Sequence, residues 1–314
     1  MSERKIVLGI DTSNYTTSVA LMYSDGELIA NIKRPLAVKH GERGLRQSDA
    51  VFAHVKNIPS AMEEARVILA GRKPYAVGVS ERPRNIEGSY MPCFLSGVAA
   101  AESIATAANI PLYRYSHQCG HVMAALYSSG RFDLLDGRAF CAFHVSGGTT
   151  EMLKVEAVER GFKAELIGGT ADLNAGQVID RIGVLMGLPF PAGAHLESLA
   201  LENTLKIPSK KPKISDFKVN LSGLENMAAA LYKESGDKAL TSAFVLDYIG
   251  KSLSLLAESY EAFYGKTEFV FAGGVMCNSI IKNMLKKRFN AYFAEPAMSA
   301  DNAVGIAALT AREL

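Results

Sequence analysis

The sequence predicts an α/β protein built from two similar lobes facing one another across a cleft. Three observations carry that expectation. Short β-branched runs alternate with helical stretches along the 314 residues, a length sufficient for two lobes. A strand, a hydroxyl-bearing turn, a strand, a hairpin and a third strand open the chain, and the same succession restarts at Ala139. Near residue 270 a strand runs through Ala272-Gly273-Gly274-Val275 into a helix, which offers free helix-end N–H groups to a nucleotide.

In order, Lys5 to Ile10 is a β-branched run closed by Gly9-Ile10-Asp11-Thr12-Ser13. Ser18 to Tyr23, then Ser24-Asp25-Gly26, then Glu27 to Ala30 complete a β-meander. The hydroxyls and N–H groups of Thr12, Ser13, Thr16 and Thr17 sit where a tight turn could hold phosphate oxygens; a hairpin rich in Thr and Ser with no ligand reads equally well. Helical periodicity follows from Ala50 to Ala70, a buried strand at Tyr75 to Val79, an Ala-rich helix at Gly97 to Ala108 and a strand at Pro111 to Tyr115. Next comes Ser116-His117-Gln118-Cys119-Gly120-His121. Its imidazoles, four residues apart, share one face of a helix and could share one metal ion. The spacing alone suits a surface or core pair as well, and a durable site needs further ligands.

The repeat runs from Ala139 to Val145 through Ser146-Gly147-Gly148-Thr149-Thr150 to Glu151 to Val155, then a turn near Glu159-Arg160-Gly161 and a strand at Ala164 to Gly168. Asp172 to Asp180 opens a helix that ends near Met186, stopped by Gly187 to Gly193. Leu205 to Lys218 reads as an exposed basic loop, Thr241 to Tyr264 as a long amphipathic helix and Thr267 to Phe271 as a strand. Near the C-terminus Asp301 is either a third metal ligand or a residue of the cap that starts a closing helix.

A net charge of +2 is too small to predict nucleic-acid binding by itself. Two local clusters, Lys206 to Lys218 and Lys282 to Arg288, suit either phosphate contacts or a solvated face. Cys93, Cys119, Cys141 and Cys277 lack paired spacing, which argues for a reducing compartment. With no apolar leader and no run near the roughly 20 residues a membrane helix needs, the expectation is a cytoplasmic protein without a membrane anchor.

Taken together these motifs resemble the TsaD/Gcp family of tRNA threonylcarbamoyladenosine transferases, within the actin, heat-shock chaperone and sugar-kinase superfamily of ribonuclease H-like lobes. The likeness is carried by residues 9–13, His117 and His121, Val145 to Gly148, Ala175-Gly176 with Asp180, Pro191-Ala192-Gly193, Phe217 to Leu224, Ala272 to Val275 with Asn278, and Asp301-Asn302. It implies an N-terminal lobe over 1–115 closed by a helix at about 301–314, and a second lobe over 116–300 with a helical insertion at about 172–240. It implies one iron or zinc ion on His117, His121 and Asp301. It also implies an ATP- or AMP-type ligand, or threonylcarbamoyl-AMP, cradled by His144, Val145, Ser146, Gly147 and Gly148. Asp180 and Gly193 would stand at the ribose, Gly273, Gly274 and Asn278 at the nucleotide, and Asp11, Thr12 and Ser13 at the catalytic turn. His144, where some members carry a metal-side Tyr, is an extra ligand or a structural histidine. The implied partners are tRNA and TsaB- and TsaE-like proteins.

The chain also departs from the family. The acidic pair of the first hairpin is Tyr15 and Thr16, the His-Thr-Gln after the glycine loop is Thr149-Thr150-Glu151, and the Glu after Ala-Gly is Gln177. The Gly-Pro-Gly loop has become Glu81-Arg82-Pro83-Arg84-Asn85. These changes describe a divergent paralogue, either a transferase or a non-catalytic nucleotide- and metal-binding scaffold. A Mg-ATP kinase fits Asp11 but not two His ligands. A metallopeptidase lacks His-Glu-x-x-His, because Gln118 fills the Glu position.

Overall fold

The computed structural model describes residues 4–13, 15–37, 45–158, 161–299 and 301–314. Glu159 and Arg160 of the expected turn, and Ala300, lie outside the described residues. The chain begins β1 (Ile6–Asp11), β2 (Thr16–Tyr23), β3 (Leu28–Pro35), α1 (Gln47–Leu69), β4 (Ala76–Arg82), α2 (Phe94–Ala108), β5 (Leu112–Ser116) and α3 (His117–Ser129). It continues with β6 (Phe140–Val145), β7 (Thr150–Ala157), β8 (Phe162–Thr170), α4 (Ala175–Leu185), α5 (Gly193–Glu202), β9 (Ile214–Ser215) and β10 (Lys218–Val219). The remainder is α6 (Ser222–Ser235), α7 (Lys238–Tyr264), β11 (Phe269–Ala272), α8 (Ser279–Lys286), β12 (Ala291–Phe293), α9 (Pro296–Ser299) and α10 (Val304–Arg312).

Two compact units result. The first holds Met1–Asp136, Ala157–Lys163 and Ala300–Leu314, and the second holds Gly137–Glu156 and Ala164–Ser299. The helix with the His pair therefore belongs to the first unit, and the break lies at 136 rather than the expected 115. The reason is packing: α3 lies along α10, which also covers β1, β2 and β4.

The first unit's sheet has the order β3-β2-β1-β4-β5, and the second contains β8-β7-β6-β11-β12, the same order again, extended by β10 and β9. β1 pairs antiparallel with β2 and parallel with β4; β6 pairs antiparallel with β7 and parallel with β11. The repeat seen in the sequence is thus a repeat of strand order and direction. β1 and β6 are buried along their full length, as central strands covered on both faces must be, which explains their continuous apolar runs.

In the first unit Ile6, Leu8, Ile10, Val19, Leu21, Val77 and Val79 pack with Ala61 and Ala65 of α1 and Ala101 of α2. Glycines set how closely α10 approaches. A Cβ on Gly9 would lie 2.7 Å from the Ala303 carbonyl oxygen, and one on Gly305 would strike the backbone of Gly120 in α3. In the second unit α4 to α7 pack with the sheet around Phe143, Phe271, Leu253 and Leu256. The helix α7 is long and apolar enough to cross a membrane, but its apolar face is mostly buried in this core.

The start of α6 is fixed by Asp172. Its carboxylate accepts the Leu221 N–H at 2.7 Å, the Ser222 N–H at 3.1 Å and the Ser222 hydroxyl at 2.5 Å. Burial raises its pKa, but these donors outweigh that and leave it below the ordinary carboxylate value. A lowered native pKa stabilises above the unfolded value of about 3.9, and the contribution is lost as pH falls through the native value. Asp172→Ala is expected to lower unfolding stability at pH 7 by about 2 kcal/mol, the usual worth of charged hydrogen bonds reduced for solvent screening. In urea titrations the gap between variant and wild type should shrink at pH values below that native pKa.

Candidate metal centre

The His pair is placed by the way α3 starts. Ser116 is its N-cap, with Oγ accepting the Cys119 N–H at 3.2 Å. The substituted segment after β4 ties the same turn down: the Gln118 N–H donates to the Pro83 carbonyl at 3.0 Å, and Asn85 Nδ2 donates to Cys119 Sγ at 3.3 Å. His117 and His121 consequently face the same way. Their Nε2 atoms are 2.9 Å apart, and Asp301 Oδ1 lies 3.6 Å from the first and 3.4 Å from the second.

Three donor atoms at these separations outline a coordination face. A tetrahedral site with bonds of about 2.1 Å has donor–donor edges of about 3.4 Å. Two imidazoles and one carboxylate suit zinc or iron and leave coordination positions open, so the residues present fit the implied ion. Of the two readings of Asp301, the geometry favours the ligand. Asn302 makes the local bond instead, its Oδ1 accepting the Val304 N–H at 3.0 Å.

Behind the pair stands Asp11 at the end of β1, fully buried. Its Oδ1 is 3.1 Å from His117 Nδ1, which leaves His117 Nε2 for an ion and fixes the ring. The carboxylate is held in turn by the hydroxyl of Ser13 at 2.7 Å and by that of Ser80. Burial works against a charge on His117, but Asp11 and Asp301 overcome it and push its pKa up to about 10. His121 moves down, through burial and then the neighbouring His117 charge. Burial opposes the ionised form of Asp301, yet hydrogen bonds from both histidines hold it well below the usual carboxylate range.

Two further hydroxyls near the first turn face inward. Thr12 Oγ1 donates to the Cys93 carbonyl at 3.0 Å and accepts the Gly97 N–H at 3.1 Å, and Thr17 Oγ1 meets His54 Nδ1 at 2.8 Å. Thr12 thus ties the end of β1 to α2, and Thr17 ties β2 to α1. In the acidic pair's places Tyr15 is 43% exposed while Thr16 is buried.

All the proposed nucleotide residues lie in the second unit. Gly176 lies so close to Ser146 and Gly147 that a Cβ would come within 2.6 Å of both, and its N–H donates to the Ser146 carbonyl at 3.3 Å. Gly273, at φ 98°, lies against the Val145 carbonyl, beside His144. By contrast Gly147, Gly148, Gly193 and Gly274 have open space where a side chain would stand. His144 is buried in β6, in register with Glu151 of β7. Asp180 accepts the Ala192 N–H at 2.8 Å, joining α4 to the loop before α5, and burial raises its pKa. Asn278 caps α8, accepting the Ile281 N–H at 3.1 Å.

A family model described as TsaD, tRNA N6-adenosine threonylcarbamoyltransferase, matches residues 30–308. The chain belongs to the TsaD family. A relative from Halalkalibacterium halodurans called tRNA N6-adenosine threonylcarbamoyltransferase is 30% identical over 98% of this chain and 91% of its own length. One of the same name from Streptococcus suis is 31% identical over 91% of this chain and 84% of its own. Among solved structures, full-length HypF in a phosphate- and nucleotide-bound form covers all of this chain and 47% of its own, with TM-score 0.63 and 13% identity. A glucokinase of the ROK family from Streptomyces griseus covers 98% of this chain and 100% of its own, with TM-score 0.53 and 13% identity. At such identities the structures show the fold alone, a mixed α/β arrangement with two sheets.

Sequence reasoning misses three parts of this TsaD-family site. Ser80 lies one residue beyond the expected strand, although a lone hydroxyl after Val77-Gly78-Val79 is a usable signal. His54 is hidden within an amphipathic helix. The glycines of α3 and α10 give no sign of their crossing.

Proposed function

We propose that this chain transfers a threonylcarbamoyl group from threonylcarbamoyl-AMP to the N6 amine of an adenosine in tRNA, with iron or zinc held by His117, His121 and Asp301. The observation that carries the reading is the convergence of those three donors, all within 4.8 Å, in a chain of the TsaD family. In the reaction the amine nitrogen forms a bond to the carbamoyl carbon. The bond from that carbon to the phosphate oxygen breaks, AMP leaves and one proton is released. A bound ion supplies Lewis acidity for a carbonyl or phosphoryl oxygen.

The protein's own groups do the positioning. Asp11, backed by Ser13 and Ser80, holds the His117 ring and keeps its Nδ1 proton directed inward. The open backbone at Gly147, Gly148, Gly193 and Gly274 would admit the phosphate and ribose of the carrier without steric conflict. TsaB- and TsaE-like proteins are the proposed protein partners, and the cytoplasm the proposed compartment.

The test is transfer of labelled threonylcarbamoyl from its adenylate to unmodified tRNA, with the TsaB- and TsaE-like proteins added. Labelled tRNA that depends on the ion supports the reading. Absence of product under conditions where a relative turns over would retire it in favour of a non-catalytic scaffold, the role that Tyr15 and Thr16 in place of the acidic pair would suit.

A further inference from the structure

The β9–β10 hairpin of the second unit turns through Asp216 and Phe217, at φ 48° and 58°. Two successive left-handed residues form the turn that Asn-Gly ordinarily fills. A side chain larger than glycine is disfavoured at such a position. A bulky aromatic held in this conformation is a local strain that asks for a reason in function.

Phe217 forms one wall of a groove of about 330 Å³, lined also by Ile214, Ser259, Ala262 and Phe263. Phe263, on the last turn of α7, is 72% exposed. Its ring centroid is 5.7 Å from that of Phe217, with the planes at 88°. Tyr264 lies close behind, its ring centroid 4.7 Å from that of Phe263. The groove has room for a planar heterocycle set against an aromatic face.

Its surroundings are basic. Lys206, Lys210, Lys211, Lys213 and Lys218, on the hairpin and the segment leading to it, are all exposed. Ion pairs elsewhere in the unit are made by other residues, among them Lys154 with Glu156, Arg181 with Glu225, Lys251 with Asp247, Lys266 with Glu261 and Arg288 with Glu258. Among the described residues these five ammonium groups have no carboxylate partner, and Asp216 is the only acid from 203 to 224. An apolar protein segment would fill the groove but leave the lysines unanswered. Exposed aromatic rings beside unpaired positive charge match single-stranded nucleic acid, whose bases stack while its phosphates meet the lysines.

We propose that this hairpin groove docks an unpaired stretch of RNA, with a base against Phe263 and Phe217 and flanking phosphates on Lys210, Lys211, Lys213 and Lys218. The inference rests on the tRNA reading above and adds the surface that would grip the RNA. The experiment measures anisotropy of a labelled unmodified tRNA transcript, and of its isolated anticodon stem-loop, on the full chain across a salt series. Phe263→Ala is expected to weaken binding about tenfold, the usual loss of one base stack. The combined Lys210→Glu, Lys211→Glu and Lys213→Glu variant should flatten the slope of log K against log salt by about 2. Both variants should keep the wild-type melting temperature and metal content, because the altered side chains are exposed. If wild type binds RNA and both variants bind equally well, the groove is not the site, and the tRNA reading stands without it. If wild type binds neither RNA, both readings fall. Unchanged RNA binding with loss of a TsaB-like partner would assign the groove to a protein and overturn the proposal.

Discussion

His121→Ala is expected to reduce the metal content of the purified chain from about one ion to less than about a tenth of one, and to abolish ion-dependent activity. The ring is 4% exposed, its Nε2 faces both His117 Nε2 and Asp301 Oδ1, and Asp11 is already committed to the far side of His117. Three protein ligands are the usual minimum for a retained catalytic ion. Losing one leaves an imidazole and a carboxylate, which bind too weakly to survive dialysis. Asp11→Asn should give an intermediate result. The ring of His117 stays, but its carboxylate partner is gone, and affinity should fall about 10- to 100-fold. Metal analysis after dialysis against a weak chelator separates the two variants: His121→Ala empty, Asp11→Asn partly loaded. Equal loading of both with wild type would mean that the cluster binds no ion.

Gly305→Val should be the most damaging substitution that leaves every polar group of the centre in place. A Cβ there would run into the Gly120 carbonyl group and the Ala124 nitrogen, all of them backbone. Backbone cannot swing aside as a side chain can, so α10 must lift from α3. The expected cost is about 3 kcal/mol of stability, the upper end for overpacking. Because Asp301 stands just before α10 while the histidines ride on α3, the same shift should pull the carboxylate out of the cluster. Thermal unfolding with a metal titration checks both effects. A variant with the wild-type melting temperature and full affinity would contradict this account of how the centre is built.

His121 and Gly305 also mark what can be read from the sequence. The His pair is legible because a four-residue spacing on a helix is a local property. So is the repeat, since strand, turn and hairpin chemistry recur within short windows. That the two sheets share one strand order then follows from the two halves folding alike. The α3–α10 crossing is not legible, because a glycine inside a helix says nothing about which distant backbone it admits. Asp301 stays ambiguous for a related reason: a carboxylate just before a helix serves as a cap or as a ligand, and what bears on the choice, Asn302 taking the local bond, is a matter of three-dimensional geometry. The break falls at 136 instead of 115 because strand and helix patterns mark elements, not the partner each element packs on. Within the basic segment from 205 to 218 the hairpin escapes notice. Strands of two residues, β9 and β10, fall below the length at which alternation can be seen.

Crystals of the full chain grown with iron or zinc, with diffraction recorded on either side of the metal's absorption edge, test the centre most directly. The account predicts one strong anomalous peak bonded to His117 Nε2, His121 Nε2 and an Asp301 oxygen at about 2.0–2.2 Å. A peak elsewhere, or none in crystals of protein that carries metal in solution, would contradict it.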